Sequence, residues 1–125
     1  GQTFRFNGNV PNDGLITNLL PGCCVEVPCY ADRHGVNPAF VGDLPAQLAA
    51  INQAHVAVCE LTVQAALTGD RDAVYQACAL DPLTGAVCSL DEVRSMCDEL
   101  FEASAAWLPT FKARRKARQT RRGRK

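Results

Sequence analysis

One unbroken run constrains this chain more than any other feature. LPAQLAAINQAHVAVCELTVQAALT, residues 44–68, opens at Leu44 and closes at Thr68 with no glycine and with one proline, Pro45, beside its start. A stretch this long without a breaker predicts a single helix. Steps of three and four connect Leu48, Ile51, His55, Val58 and Ala65 on one side, and Val56, Cys59, Val63 and Ala66 on another. Apolar residues therefore occupy two faces of the rod rather than one stripe, and both faces call for cover. Alanines at 46, 49, 50, 54, 57, 65 and 66 would let neighbouring helices approach closely. A chain of 125 residues has little material with which to surround such a rod. The helix of Leu44 and Thr68 is thus expected to meet a partner subunit, making a homo-oligomer, or a part of its own polypeptide beyond these residues.

Charge divides the chain in two. Residues 1–111 hold four basic side chains (Arg5, Arg33, Arg71, Arg94) against all thirteen acids, a balance of −9, and residues 112–125 hold the other nine basic groups and no acid. The tail KARRKARQTRRGRK has the charge to touch phosphate backbones but no aromatic residue to stack on a base. A solvated, disordered tail is the expectation, with nucleic-acid binding the weaker reading. No segment is apolar enough for a membrane span, and no basic start leads into a signal-peptide core, so a cytoplasmic setting is expected. The chain begins at Gly1 and its hydrophobic pattern starts almost at once, as expected of a cut polypeptide or an expression remnant.

Seven cysteines (23, 24, 29, 59, 78, 88, 97) cannot all pair internally, and their gaps match no zinc spacing. Most read as buried reduced thiols, with Cys59, Cys78 and Cys97 serving as small hydrophobes within helices. No metal ligand is assigned, and His34, in the turn Asp32-Arg33-His34-Gly35, reads as a surface residue because nothing near it would orient it as an acid or base.

In chain order, residues 3–10 alternate around Phe4 and Phe6 as a short strand broken by Asn7 and Gly8. Pro11 to Gly14 reads as a turn, and Leu15 to Leu19 as a short extended piece. Asn7, Asn9, Asn12 and Asn18 fall within twelve residues, a density of amides that can fix sugar hydroxyls or, more simply, cap turns through their own backbone. CCVEVPCY is the clearest strand: Cys23, Val25, Val27 and Cys29 share the core face, and Cys24, Glu26, Pro28 and Tyr30 the other. Glu26 must then reach solvent, a cation or a polar cavity. Residues 36–41 pair back as a hairpin after the turn. Beyond the long helix, Gly69 is the stop and Asp70 the start of a helix through Val74, Ala77, Cys78 and Leu80. Asp81 to Gly85 punctuate the chain. Ser89 with Glu92 forms a capping box that opens a last helix through Val93, Met96, Cys97, Leu100, Phe101 and Trp107, stopped at Pro109. The fold class expected is α+β: short antiparallel strands, a long central helix and two further helices.

No GxSxG, HExxH, P-loop or glycine-rich dinucleotide fingerprint is present, so no catalytic or cofactor-binding residue is assigned. Two long blocks, NGNVPNDGLITNLLPGCCVEVPCYADRHGV and VGDLPAQLAAINQAHVAVCELTVQAALTGDRDAVYQACALDPLT, closely resemble the C-terminal part of family 4 glycoside hydrolases, in the α-galactosidase and α-glucosidase branch. The resemblance spans about residues 4–111. It departs at Asn18-Leu19-Leu20-Pro21, where the family usually has one leucine before the proline. It implies an enzyme in which bound NAD oxidises the sugar at C3, manganese polarises the ketone, and a base takes the C2 proton before elimination, addition of water and reduction. It also implies that the nucleotide fold, metal ligands and base lie upstream, so that this segment alone binds neither NAD nor manganese and is inactive. It would supply strands and the long helix of the substrate half of a lactate or malate dehydrogenase-like fold. The strand face of Cys24 and Glu26, with Asn12 and Asn18, is then expected nearest the α-glycoside. The competing reading is a stand-alone helical oligomerisation module.

Overall fold

A computed structural model describes residues 2–109 and 111; the basic tail of 112–125, and with it the disorder expected there, lies outside the described residues. The chain forms two compact units, residues 1–59 and 60–125.

The first unit is built on a three-stranded antiparallel sheet in the order β1 (Phe4–Pro11), β2 (Cys24–Asp32), β3 (Gly35–Pro38). Phe4 stands opposite Ala31 and Pro11 opposite Cys24. β1 therefore runs unbroken through Asn7 and Gly8, where the sequence suggested an interruption. Gly8 is there because of packing. A Cβ on it would meet Cys29 Sγ and Phe6 Cε2 at 3.0 Å each, so a larger residue would require those two side chains to give way by a few tenths of an ångström. β3 ends at Pro38, short of the expected Val41, because proline has no N–H for the ladder; Ala39 N–H still donates to Pro28 O at 2.8 Å. Strand alternation holds fully in β2: Val25, Val27 and Cys29 are buried, and Cys24, Glu26 and Tyr30 are exposed.

That inward face packs on Ile16, Leu19, Cys23 and Ala49, with Phe6, Val10, Leu15, Leu44 and Val56 at its margin. Residues 15–19 are not an extended piece. They wrap around the side chain of Asn12 and touch strand geometry only in the single bridge from Ile16 to Gly42.

Helix α1 (Ala46–Thr68) starts two residues after Leu44, whose main chain is already bonded to Asn18. It stops at Gly69, which takes φ 66°, a conformation that favours glycine, and donates to Ala65 O at 2.9 Å. Of its side chains only Ala49 and Ala65 are buried, while Leu48, Ile51, Val63 and Leu67 are exposed. Cys59, expected as a buried small hydrophobe, is also exposed.

In the second unit α2 (Arg71–Leu80), α3 (Pro82–Val87) and α4 (Leu90–Ala103) make three further helices where two were expected. Asp70 caps α2 by accepting from Asp72 N–H at 2.9 Å. Asp81 caps α3 by accepting from Thr84 N–H at 2.8 Å with Pro82 in the first turn, so the segment that looked like punctuation is a helix start. Small Ala73 and Ala77 on α2 face Val93 and Cys97 of α4, the four being buried. α4 ends at Ala103 rather than running to Trp107 and Pro109: Ser104 N–H still reaches Leu100 O, but Ala105 N–H turns to Glu102 O, and Trp107 is 83% exposed. Past Phe101 the helix has no buried side chain to hold another turn.

The Ser89 box is complete. Ser89 Oγ accepts from Glu92 N–H, and Glu92 accepts from Ser89 N–H at 2.7 Å. The bond from Ser89 N–H first, and then the one that Ser89 Oγ–H donates to Glu92 Oε2 at 2.8 Å, hold the Glu92 carboxyl below its ordinary 4.5. A carboxylate with a depressed folded value supports the fold above its ordinary range and loses that support as pH falls through the lowered value. Ser89→Ala is expected to cost about 1 kcal/mol in denaturant unfolding. Glu92→Gln is expected to flatten the acid limb of α4 helicity below pH 4.5, measured by circular dichroism.

Candidate functional site

Two side chains turn residues 12–23 from a loose connection into a fixed loop. Asn12 is 1% exposed. Its Nδ2 donates to Ile16 O at 2.9 Å, Leu20 O at 3.2 Å and Leu19 O at 3.4 Å, and its Oδ1 accepts from Ile16 N–H at 2.9 Å. Its main chain closes the neck of the loop, N–H to Cys23 O and carbonyl from Gly22 N–H. Asn18 joins the loop to the entry of α1: Nδ2 donates to Leu44 O at 2.8 Å, Oδ1 accepts from Leu44 N–H at 2.9 Å, and its carbonyl accepts from Gln53 Nε2 at 2.9 Å. Both amides are thus committed to the main chain. In Asn18-Leu19-Leu20-Pro21, Leu19 is buried and Leu20 is 49% exposed.

Glu26 lies elsewhere, on the outward face of the sheet. Antiparallel pairing sets it opposite Asn9, with Arg5 opposite Tyr30, Asn7 opposite Pro28, and Asn37 opposite Tyr30 on the third strand. Arg5, Asn7, Asn9, Glu26, Tyr30 and Asn37 are all exposed on that face. Amide donors and acceptors, one carboxylate, one guanidinium and one aromatic ring are the groups that hydrogen-bond and stack on a polyol. The asparagines and Glu26 were legible in the sequence. Their company with Arg5 and Asn37 was not, because it depends on register. His34 is exposed in the hairpin turn, as expected.

The second unit has its own cluster. Arg71 Nη2 donates to Asp98 Oδ1 at 2.9 Å, its guanidinium lies 4.3 Å from the Phe101 ring centroid, and Tyr75 OH donates to the same Asp98 oxygen. Burial first, then that bond to Asp98, pushes the Tyr75 phenol above its ordinary value, and the Arg71 guanidinium pulls the other way. A cavity of about 480 Å³ opens beside Arg71, Asp98, Phe101 and Glu102.

Among the described residues no group of three or more His, Cys, Asp or Glu side chains could hold a metal ion. No helix among them is long and apolar enough to cross a membrane. The donor set fits neither a metal centre nor a dinucleotide cradle: the positive-φ glycines, 14, 22, 35, 42 and 69, sit in turns and at a helix end rather than in a strand-to-helix fingerprint. All seven cysteines are thiols, Cys24 and Cys59 exposed, Cys78 and Cys88 half-buried, and the rest buried. Burial, and next a hydrogen bond with Cys78, pushes the Cys97 thiol up to about 11. Alkylation at pH 8 with subsequent peptide mapping is therefore expected to label Cys24 and Cys59 well before Cys97.

The described residues thus form an α+β segment with a polar outward sheet face. The model for the family 4 glycosyl hydrolase C-terminal domain matches residues 1–84, and the chain belongs to that family. Among curated relatives it is 50% identical over 111 residues to the alpha-galactosidase of Bacillus subtilis (strain 168), covering 89% of this chain and 26% of that enzyme. Among solved structures, a 6-phospho-alpha-glucosidase from gut microorganisms, in complex with NAD and glucose-6-phosphate, superposes with a TM-score of 0.76 at 27% identity over 89% of this chain and 24% of its own. A second 6-phospho-alpha-glucosidase from gut microorganisms, in complex with NAD and Mn2+, gives a TM-score of 0.78 at 24% identity, over 87% and 24%. The chain thus spans about a quarter of the length of these relatives.

Proposed function

We propose that this chain is the C-terminal segment of an α-glycosidase, an α-galactosidase or α-glucosidase, that hydrolyses its substrate by oxidation, elimination, addition and reduction with NAD and manganese. The observation that carries the reading is the 50% identity to an alpha-galactosidase over 89% of the chain. NAD and manganese belong, in this proposal, to residues upstream. The segment's own part is structural and steric. Asn12 and Asn18 act by holding the loop, and the outward face of Glu26 presents polar groups toward the sugar. Val63 and Leu67, exposed on the second half of α1, are the surface through which whole enzymes associate as a homo-oligomer. The segment alone is inactive, and the enzyme is cytoplasmic.

The test joins this chain in frame behind the portion of the Bacillus subtilis enzyme that precedes the matched segment. Hydrolysis of p-nitrophenyl α-galactoside is expected from the joined protein only with NAD and manganese, and none from the chain alone. Turnover that persists without NAD would remove the mechanism.

A further inference from the structure

Within the first unit, α1 carries a stripe that is exposed among the described residues. Leu48, Asn52, His55 and Cys59 recur at helical spacing, with Ile51 beside Leu48, and all five are exposed. Ala49 and Val56, on a different side, meet the core. The stripe runs about 16 Å at 1.5 Å per residue. An exposed helix face normally carries charge, yet the helix has one charged residue in its 23, Glu60, and none in residues 46–59. Depletion of charge around apolar side chains is the mark of the core of a permanent interface.

We infer that this stripe is the seat of the polypeptide that precedes the matched segment in the longer relatives, an interface within one chain. The occupant is identified by two observations. Relatives are about four times as long as the matched stretch, so a large continuous body has to be placed against it. The same unit also leaves Phe4, Val36 and Phe40 more than half exposed, which is wider cover than one self-complementary helix seam between two copies supplies. The inference rests on the proposal that this chain is part of a longer glycosidase, and it adds which surface the preceding part occupies.

Cys59 reports on the seat directly. Its maleimide labelling, read by peptide mass, is timed in this chain alone and in the joined protein described above. Fast labelling is expected in the chain alone, with slowing of roughly 100-fold in the joined protein, since only local opening would then expose the thiol. Ile51→Asp is expected to leave the helicity and melting of the chain alone unchanged and to restore fast labelling in the joined protein. Equal rates in a joined protein that melts cooperatively would overturn the inference. So would protection in the chain alone that grows with its concentration, which is the signature of a second copy. Glycosidase turnover is read separately: turnover without protection rejects the seat and keeps the function, and protection without turnover does the reverse.

Discussion

Asn12→Ala is expected to remove about 3 kcal/mol of unfolding free energy and to lower the melting temperature by about 12 °C or more. The side chain is sealed from solvent, and one small amide satisfies three carbonyls and one N–H of residues 16–20. Truncation removes the acceptor of Ile16 N–H and a donor from all three carbonyls, leaving Ile16 O with only a 3.4 Å bond from Leu19 N–H and Leu20 O with a 3.3 Å bond from Cys23 N–H, and each buried orphan costs about 1–3 kcal/mol unless the loop gives way. Asn12→Asp is expected to be as damaging, because a carboxylate has no N–H to offer three carbonyls and brings a charge into the core. Asn9→Ala, on the outward face of β1, is the control and should stay within about 0.5 kcal/mol. Urea unfolding with matched slopes makes the comparison.

Val27→Asp is the second large effect. Val27 is 1% exposed at the centre of β2, and the core residues around it, Ile16, Leu19, Val25, Cys29 and Ala49, offer no cation, the Cys29 thiol already donating to Val27 O. A carboxylate there is expected to cost more than about 4 kcal/mol, enough to abolish the cooperative transition of a small domain. Its neighbour behaves oppositely. Glu26→Gln, one residue away on the other face, should leave stability unchanged to about 0.5 kcal/mol. In the joined protein the same change should raise KM or lower kcat if that face meets the glycoside. The pair reads the two faces of one strand with adjacent substitutions.

Whatever depends on local period and local chemistry is legible in the sequence. Two-residue alternation assigns every side chain from Cys23 to Tyr30 to its face, and the boundary of α1, the Gly69 stop, the Asp70 cap and the Ser89 box all arise from near neighbours. Sequence and structure part where a distant contact decides the outcome. Gly8 resembles a breaker because its reason, Cys29 Sγ on the next strand, lies 21 residues away. Residues 15–19 resemble an extended piece because their hydrophobic pattern does not show that an asparagine side chain replaces the ladder. Asp81-Pro82 reads as a turn, although Asp before Pro also opens helices, and the two uses differ only in the residues downstream. The candidate face is half legible: Asn7, Asn9 and Glu26 stand out by composition, and register brings Arg5 and Asn37 to them. The apolar neighbours of Cys59 point to a core, but among the described residues Cys59 is exposed.

The most direct measurement of the account is the joined protein turning over an α-galactoside in D2O, with the released sugar examined by proton NMR at C2. Elimination and addition across C1 and C2 predicts deuterium at that carbon in the product. Rapid hydrolysis that leaves the C2 proton fully in place would contradict it, and with it the place assigned to this segment.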